Sequence, residues 1–140
     1  MALQVVVGVT VISLTAYIHA TTLALALHRF EPLRAWALAW PSTLRTATLL
    51  AASVLWVMAA HLIEVALWAA VLILLGVFSD LERAVYFSLV AYTTLGFGDI
   101  ILPEDWRILS GLIAANGFLV FGWSTAFQVD LLADLRRDQS

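Results

Sequence analysis

The sequence predicts an all-α membrane protein, with three transmembrane helices and one shorter helix that enters the membrane without crossing it. Of its 140 residues, 63% are hydrophobic and only 12% are charged, whereas about a quarter of the residues in a soluble domain carry charge. The mean hydropathy is +0.97, and three apolar stretches each exceed the roughly 20 residues that span a bilayer. We therefore expect one membrane domain whose main surroundings are lipid.

The composition also excludes several classes of site and partner. The chain contains no cysteine, which excludes disulfides and thiolate metal sites. The net charge of -3 is small and dispersed, so we expect no nucleic-acid partner. The first four residues lack the positive charge of a cleaved signal peptide, and we expect the apolar run that follows to remain as a helix.

The first half of the chain predicts two transmembrane helices joined by a surface segment. The first, residues 1–29, ends before Pro32, which cannot continue a helix. Residues 30–45 carry Trp36 and Trp40, which suit an interfacial linker at headgroup depth. The second helix, residues 46–78, is longer than a perpendicular crossing requires, so we expect it to tilt.

The second half predicts a short re-entrant helix, a loop and a last transmembrane helix. Ser79 and Glu82 have the spacing of a capping box, which predicts a helix start at Ser79. A helix over residues 79–93 measures about 20 Å, too short to span the hydrocarbon core. Residues 94–99 form a glycine-containing loop, residues 106–132 are long enough to span, and residues 133–140 form a charged tail.

The distribution of arginine predicts the topology, because basic residues favour the cytoplasmic side. Five arginines lie in the first loop or after the last helix: Arg29, Arg34, Arg45, Arg136 and Arg137. The other two, Arg83 and Arg107, flank the short helix beside acidic residues. We therefore expect a multi-pass protein of the cell membrane with its N-terminus outside and its C-terminus in the cytoplasm.

The loop after the short helix contains two glycines in three residues, Gly96 and Gly98. Irregular backbone at membrane depth is tolerated only where protein or water covers it. Glycine adopts positive φ without strain, and alternating such residues with ordinary ones turns successive carbonyls to one side of the chain. Four copies around an axis would offer rings of oxygen atoms that replace the hydration shell of a potassium ion.

The residues Thr94-Leu95-Gly96-Phe97-Gly98-Asp99, with a short helix before them and a spanning helix on each side, resemble the selectivity filter of the potassium channel family. The resemblance covers about residues 46–135, and residues 1–29 are an additional helix. It implies a homotetramer in the lipid bilayer that conducts potassium passively, with no catalysis, cofactor or small-molecule substrate. It also implies that potassium is coordinated by the backbone carbonyls of Thr94, Leu95, Gly96 and Phe97 and by the Thr94 hydroxyl.

The resemblance further implies which residues support the filter: Thr93, Gly98, Asp99, Tyr86 and Phe87. Many family members have tyrosine at position 97 and tryptophan at position 87, which hydrogen-bond behind the filter. Both positions are phenylalanine here, so aromatic packing is the support available to them. Position 90, where some members have an acid, is valine, and we therefore predict that Asp99 bonds to Tyr86 instead.

The last helix resembles the inner helix of simple bacterial potassium channels, in which two glycines stand five residues apart. Gly117 and Gly122 match that spacing. By this resemblance Gly117 is the hinge, and Phe118, Phe121 and Thr125 face the central cavity.

Three ionisable residues, His19, His61 and Glu64, lie inside the first two transmembrane helices. An ionised carboxylate at this depth costs about 2.5–3.5 kcal/mol, so we expect Glu64 to be paired, protonated or hydrated. Three interpretations remain open: a structural hydrogen bond between helices, a proton sensor linked to gating, and a metal site. The sequence also leaves open a weakly selective cation channel, a membrane metal-site protein built on these residues, and an accessory subunit that does not conduct.

Overall fold

In the computed structural model, which describes residues 1–137, helices form the framework and no strand is present. The elements are α1 (Ala2–Arg29), α2 (Glu31–Trp36), a 3-10 turn (Ala37–Ala39), α3 (Ser42–Leu74), α4 (Leu81–Tyr92), a second 3-10 turn (Glu104–Trp106) and α5 (Arg107–Arg137). Three stretches are long and apolar enough to cross a membrane: Ala2–Ala39, Ser42–Leu74 and Glu104–Arg137. This confirms the predicted all-α membrane architecture.

Helix α3 begins and ends four residues earlier than the predicted range of 46–78. It begins at Ser42, because Pro41 has extended backbone angles (φ −52°, ψ 140°) and precedes the first helical turn. It ends at Leu74 because Gly76 has φ +70° and two amides bond back to the last turn, Gly76 to Ile73 at 2.9 Å and Val77 to Leu72 at 3.0 Å. The apolar sequence continues to residue 78, so hydropathy alone overestimated where the helix ends.

Helix α4 starts at a different residue from the one that the capping box predicts. Asp80 is the N-cap, and its carboxylate accepts a hydrogen bond of 2.9 Å from the amide of Arg83. The predicted start at Ser79 is therefore one residue too early, since an aspartate caps as well as a serine does. The helix has 12 residues, which still makes it too short to span a membrane.

Helix α5 extends through Arg137, beyond the predicted end at residue 132. Most of the expected tail, residues 133–140, is therefore helical, and its last three residues lie outside the described part of the chain. Arginine forms helices well, and Arg136 and Arg137 in the last turn lie beside the negative end of the helix dipole, which favours positive charge.

Helix α1 lies parallel to α5 and is joined to it by polar bonds at two depths. The side chain of Gln4 accepts a hydrogen bond of 2.9 Å from the amide of Ile108, in the first turn of α5. About two turns further along, the Thr15 hydroxyl donates to Asn116 Oδ1 at 2.9 Å. Buried hydrogen bonds of this kind fix one helix against another where lipid offers no hydrophobic driving force.

Helix α1 is antiparallel to α3, and aromatic residues join the two helices near the end of α1. The indole of Trp56 donates to the carbonyl of Thr22 at 2.9 Å, and its ring lies 6.1 Å from the ring of Phe30. The hydrophobic core combines residues from the four long elements, and its largest fully buried members are Trp68, Leu72, Tyr92, Leu109 and Ile113. The additional helix is thus an integral part of the subunit.

Candidate functional site

The segment after α4 has an alternating backbone conformation. Positive φ angles occur at every second residue: 61° at Thr94, 56° at Gly96 and 78° at Gly98. Thr94 is the one residue other than glycine with positive φ among residues 1–137. A threonine in this conformation is strained by about 1–2 kcal/mol, a cost that the surrounding structure has to offset.

The amides of this segment form hydrogen bonds within the chain, and its carbonyls do not. Three successive amides bond back to the end of α4: Thr94 to Ala91 at 3.0 Å, and Leu95 and Gly96 to the carbonyl of Val90 at 3.1 and 3.3 Å. Within the described residues, the carbonyls of residues 94–97 accept no hydrogen bond. The segment therefore holds itself by its N–H groups and leaves a run of carbonyl oxygens available.

The predicted hydrogen bond between Tyr86 and Asp99 is present. The Tyr86 hydroxyl donates to Asp99 Oδ2 at 2.7 Å, and this bond is the main cause that raises the pKa of Tyr86 above its usual value. Thr93, by contrast, turns its hydroxyl to the helix and donates to the carbonyl of Leu89 at 2.7 Å. At position 90, where some members of the potassium channel family have an acid, this chain has a buried valine. Tyr86 is therefore the residue that bonds to Asp99.

The two phenylalanines expected to support the filter have different surroundings. Phe87 is buried and packs on Phe78 with ring centroids 5.6 Å apart. Phe97 is 65% exposed and Leu95 is 60% exposed, so neither side chain is covered by its own subunit. The aromatic partner of Phe87 is therefore Phe78, which follows α3, and not Phe97.

The predicted hinge, Gly117, lies where α5 crosses the end of α4. A Cβ atom at this position would lie 1.9 Å from the carbonyl oxygen of Tyr92, so only glycine allows this approach. Gly122, in contrast, has open space around it. The close crossing gives Gly117 a packing role that the sequence spacing alone did not reveal.

The three residues predicted to face a cavity point in different directions. Phe118 is 72% exposed and Thr125 is also exposed, on the free side of α5. Phe121 instead packs inside the subunit, with its ring centroid 4.6 Å from His61 and 5.5 Å from Tyr92. Its ring therefore contacts α3 and α4 while remaining half-buried, and the cavity-facing role of the three residues stays a prediction.

The structure brings His19, His61 and Glu64 together at a buried point between α1 and α3. His19 Nδ1 lies 3.0 Å from Glu64 Oε1, and His61 Nδ1 lies 3.3 Å from Glu64 Oε2. One possible ligand atom from each residue lies within 4.8 Å of the others, which is close enough for the metal site considered above. Hydrogen bonds already engage each of these atoms, so the cluster is held together without requiring an ion.

Sequence reasoning missed two members of this cluster, Tyr92 and Ser124. The Tyr92 hydroxyl donates to Glu64 Oε2 and lies 3.0 Å from His61 Nδ1. Ser124 Oγ lies 3.0 Å from His61 Nε2 and 3.1 Å from His19 Nε2. The signal for Tyr92 was its hydroxyl in an otherwise apolar helix end, since a buried tyrosine hydroxyl usually finds a partner; Ser124 offered no comparable signal.

The comparisons with known proteins agree with this architecture. A family model described as "Ion channel" matches residues 60–134, a range that begins inside α3 and includes α4, the alternating segment and most of α5. No curated protein and no solved structure matches the chain. Helix α1 lies outside the matched range. Because the match covers more than half of the chain and the matched helices suit a bilayer, this protein belongs to the ion channel family of the potassium-channel pore type and is a multi-pass membrane protein.

Proposed function

We propose that the chain is the pore-forming subunit of a potassium-selective channel, in which backbone carbonyls replace the hydration shell of the ion. The coordinating groups are the carbonyls of Thr94, Leu95, Gly96 and Phe97 and the hydroxyl of Thr94. Conduction is passive, so the protein needs no catalytic residue and no cofactor, and potassium is its permeant ligand.

The observation that carries this proposal is the free run of carbonyls in a backbone of alternating φ. The amides of Thr94, Leu95 and Gly96 are satisfied by the end of α4, while the carbonyls of residues 94–97 have no donor within residues 1–137. These residues are exposed in the single chain, and an unpaired carbonyl at membrane depth costs a few kcal/mol unless water or a ligand satisfies it. A dehydrated cation is the ligand that satisfies several such oxygens at once, and the carbonyl end of α4 adds the negative end of a helix dipole.

We propose that the channel is a homotetramer, an arrangement that the geometry of this segment supports. One chain contributes carbonyls on one side of an ion, and a closed ring of ligands requires further copies around an axis. The apolar side chains beside the carbonyls support this arrangement, since Leu95, Phe97 and Ile101 are 60%, 65% and 73% exposed in the single subunit. Irregular backbone at this depth must be covered by protein or line a water-filled cavity, and neighbouring copies arranged around a pore would meet this requirement.

The orientation proposed from arginine placement also suits the fold. The end of α1, the α2 linker, the start of α3 and the end of α5 lie on one side, and α4 with the filter opens toward the other. The arginine-rich side is therefore cytoplasmic, with the N-terminus outside. The filter would then face the exterior, beside Asp80, Glu82 and Asp99.

Potassium flux into proteoliposomes of the purified chain tests the proposal, with Gly96→Ala as the main variant. Gly96 has φ +56°, so alanine strains the filter backbone, and we expect flux or selectivity to be lost. Gly76→Ala is the matched control, because Gly76 has φ +70° and open space but lies at the end of α3, away from the filter. Wild-type vesicles without potassium flux, or equal losses in both variants, would contradict the proposal.

Reversal potentials in mixed potassium and sodium decide between a selective and a weakly selective channel. The departures at positions 87 and 97 remove hydrogen bonds behind the filter, and Asp99 is held by Tyr86 alone among the described residues. We expect potassium preference to persist, because coordination uses backbone atoms. A reversal potential that follows sodium and potassium equally would favour the weakly selective alternative.

A further inference from the structure

Five side chains from four helices form a closed ring of hydrogen bonds in the subunit interior. In order around the ring, Glu64 Oε1 lies 3.0 Å from His19 Nδ1, and His19 Nε2 lies 3.1 Å from Ser124 Oγ. Ser124 Oγ lies 3.0 Å from His61 Nε2, and His61 Nδ1 lies 3.0 Å from Tyr92 Oη. The Tyr92 hydroxyl then closes the ring on Glu64 Oε2. All five residues are buried.

The number of hydrogens in this ring matches the number of links when the ring has no net charge. Each of the five links needs one hydrogen, and each group both donates and accepts. With every group neutral, each contributes one hydrogen, and the bonds run head to tail around the ring. An ionised Glu64 beside one doubly protonated histidine gives the same total, so both forms satisfy all five links.

Gain of one proton adds a sixth hydrogen to the ring, one more than its five links need. With both histidines doubly protonated and Glu64 ionised, both Nε2 atoms must donate to Ser124 Oγ. The Ser124 hydroxyl then has to turn its hydrogen to the carbonyl of Val120, which lies 2.9 Å away in the same helix. The hydrogen bonds survive, but the ring now carries one net positive charge, and a net charge at membrane depth is costly.

The same gain places two like charges side by side. The rings of His19 and His61 are stacked, with centroids 5.0 Å apart, so two imidazolium ions would repel each other across the α1–α3 contact. The titratable groups facing them are Glu64 from α3 and Tyr92 from α4. Helix α5 presents the uncharged Ser124, Phe121 and Trp123 to these rings, so Glu64 is the single compensating charge.

We propose that this ring is a proton-operated regulatory site: protonation of the second histidine lowers potassium conduction. This inference rests on the proposed channel function. Tyr92 lies two residues before Thr94 on the same backbone, so a charged ring lies beside the filter's attachment point. One positive charge in each of four subunits raises the energy of a potassium ion in the pore, and the repulsion between the two imidazolium ions acts across the contact of α1 with α3.

Access to the ring exists along the surface between α3 and α5. A groove there reaches His61 and Ser124 and continues past Thr125 and Gln128 toward the end of α5. Its remaining walls are apolar, and they include Val54 and Met58. His61 and Ser124 are therefore the members of the ring that border this groove, which does not include the filter residues.

Potassium flux measured at about pH 7.5 and about pH 4.5 tests the proposal; the interval extends below the ordinary range of histidine because a second charge in the buried ring is costly. We expect wild-type flux to lose most of its rate at the lower pH. His19→Gln keeps a donor and an acceptor but removes the second titrating group, so its flux should change little with pH. His28→Gln is the matched control, since His28 is the third histidine of the chain and is exposed at the end of α1; this variant should keep the wild-type loss.

A second variant keeps the test decisive if His19→Gln does not assemble. Ser124→Ala removes the oxygen that accepts from both imidazolium ions, so the pH at which half the flux is lost should move to a lower value. Wild-type flux that is equal at both pH values, or acid sensitivity that neither His19→Gln nor Ser124→Ala alters, would overturn the proposal. Absence of potassium flux at every pH would instead contradict the channel function itself, so the two failures are distinguishable.

Discussion

The filter segment and the buried ring are two polar regions of this chain that satisfy their polar atoms in opposite ways. The ring consists of side chains, and each of its nitrogen and oxygen atoms has a partner within the same subunit. The filter segment is backbone, and the carbonyls of residues 94–97 have no partner among residues 1–137. The ring is buried, whereas residues 94–99 are exposed.

This difference indicates that the ring mainly stabilises the fold, whereas the filter segment serves transport in our proposal. A polar group at membrane depth must find a partner, and the ring finds its partners by joining four helices of one chain. The filter segment leaves its oxygens for something outside the chain, which in our proposal is an ion together with three further copies. Variants that remove partners from the ring should therefore reduce subunit stability, and variants in the filter should reduce conduction.

The largest loss of stability should follow removal of the Glu64 carboxylate. Glu64→Ala takes the acceptor from His19 and Tyr92 and leaves their polar atoms buried, so we expect a loss of about 3–5 kcal/mol in the free energy of unfolding. Thermal or denaturant unfolding in detergent would measure it. Glu82→Ala is the control, because Glu82 is exposed and its loss should be small; equal losses in the two variants would show that the ring does not stabilise the subunit.

The next largest effect should come from the crossing of α5 and α4. Gly117→Ala places a Cβ atom 1.9 Å from a backbone carbonyl oxygen, which no side-chain rotation can relieve, so we expect a loss of about 1–3 kcal/mol. Gly122→Ala has open space and should be neutral or slightly stabilising. Unfolding curves of both variants would compare them, and an unaffected Gly117→Ala would mean that the helices separate freely at this point.

A smaller effect separates the two possible caps of α4. Asp80→Ala removes the carboxylate that accepts from Arg83 and should cost about 1 kcal/mol. Ser79→Ala should leave stability unchanged, because Ser79 does not cap the helix. The reverse order of the two variants in an unfolding experiment would restore the capping box that the sequence predicted.

The smallest effect on stability, with a visible effect on conduction, should come from Tyr86. Tyr86→Phe removes the bond to Asp99 at an exposed site, so we expect little change in unfolding but a faster decline of potassium current. The same bond raises the pKa of Tyr86, so its contribution is full at neutral pH and is lost as pH rises through that raised value. Strongly alkaline solution should therefore act like Tyr86→Phe; Tyr17→Phe, on the exposed side of α1, is the control.

Much of the fold could be predicted because lipid imposes strict rules on sequence. The apolar runs gave the three candidate spans, and the short run between Asp80 and Thr93 gave the re-entrant helix. The ends of helices were predicted less well, since they depend on local geometry: the bonds around Gly76 end α3 inside its apolar run, and Asp80 replaces Ser79 as the cap of α4.

The glycines singled out the segment of the proposed filter, but its conformation went further than the sequence indicated. Thr94 adopts positive φ although threonine disfavours it, a cost that no propensity predicts. The ring was predicted only in part. His19, His61 and Glu64 stood out as ionisable residues in apolar helices, whereas Tyr92 and Ser124 belong to it because of how α4 and α5 pack on α3, which one sequence does not specify.

The position of Gln4 has a consequence for how the chain assembles in the membrane. Its side chain accepts a hydrogen bond from the Ile108 amide. The first turn of α1 therefore satisfies a free amide in the first turn of α5, although more than a hundred residues separate the two. A chain shortened to the matched range would lose this acceptor, together with the Thr15 bond to Asn116 and the His19 bond to Glu64. The last helix can therefore reach its final, fully bonded state only with the first helix beside it, and we expect insertion of the two ends of this protein to be coupled during its biosynthesis.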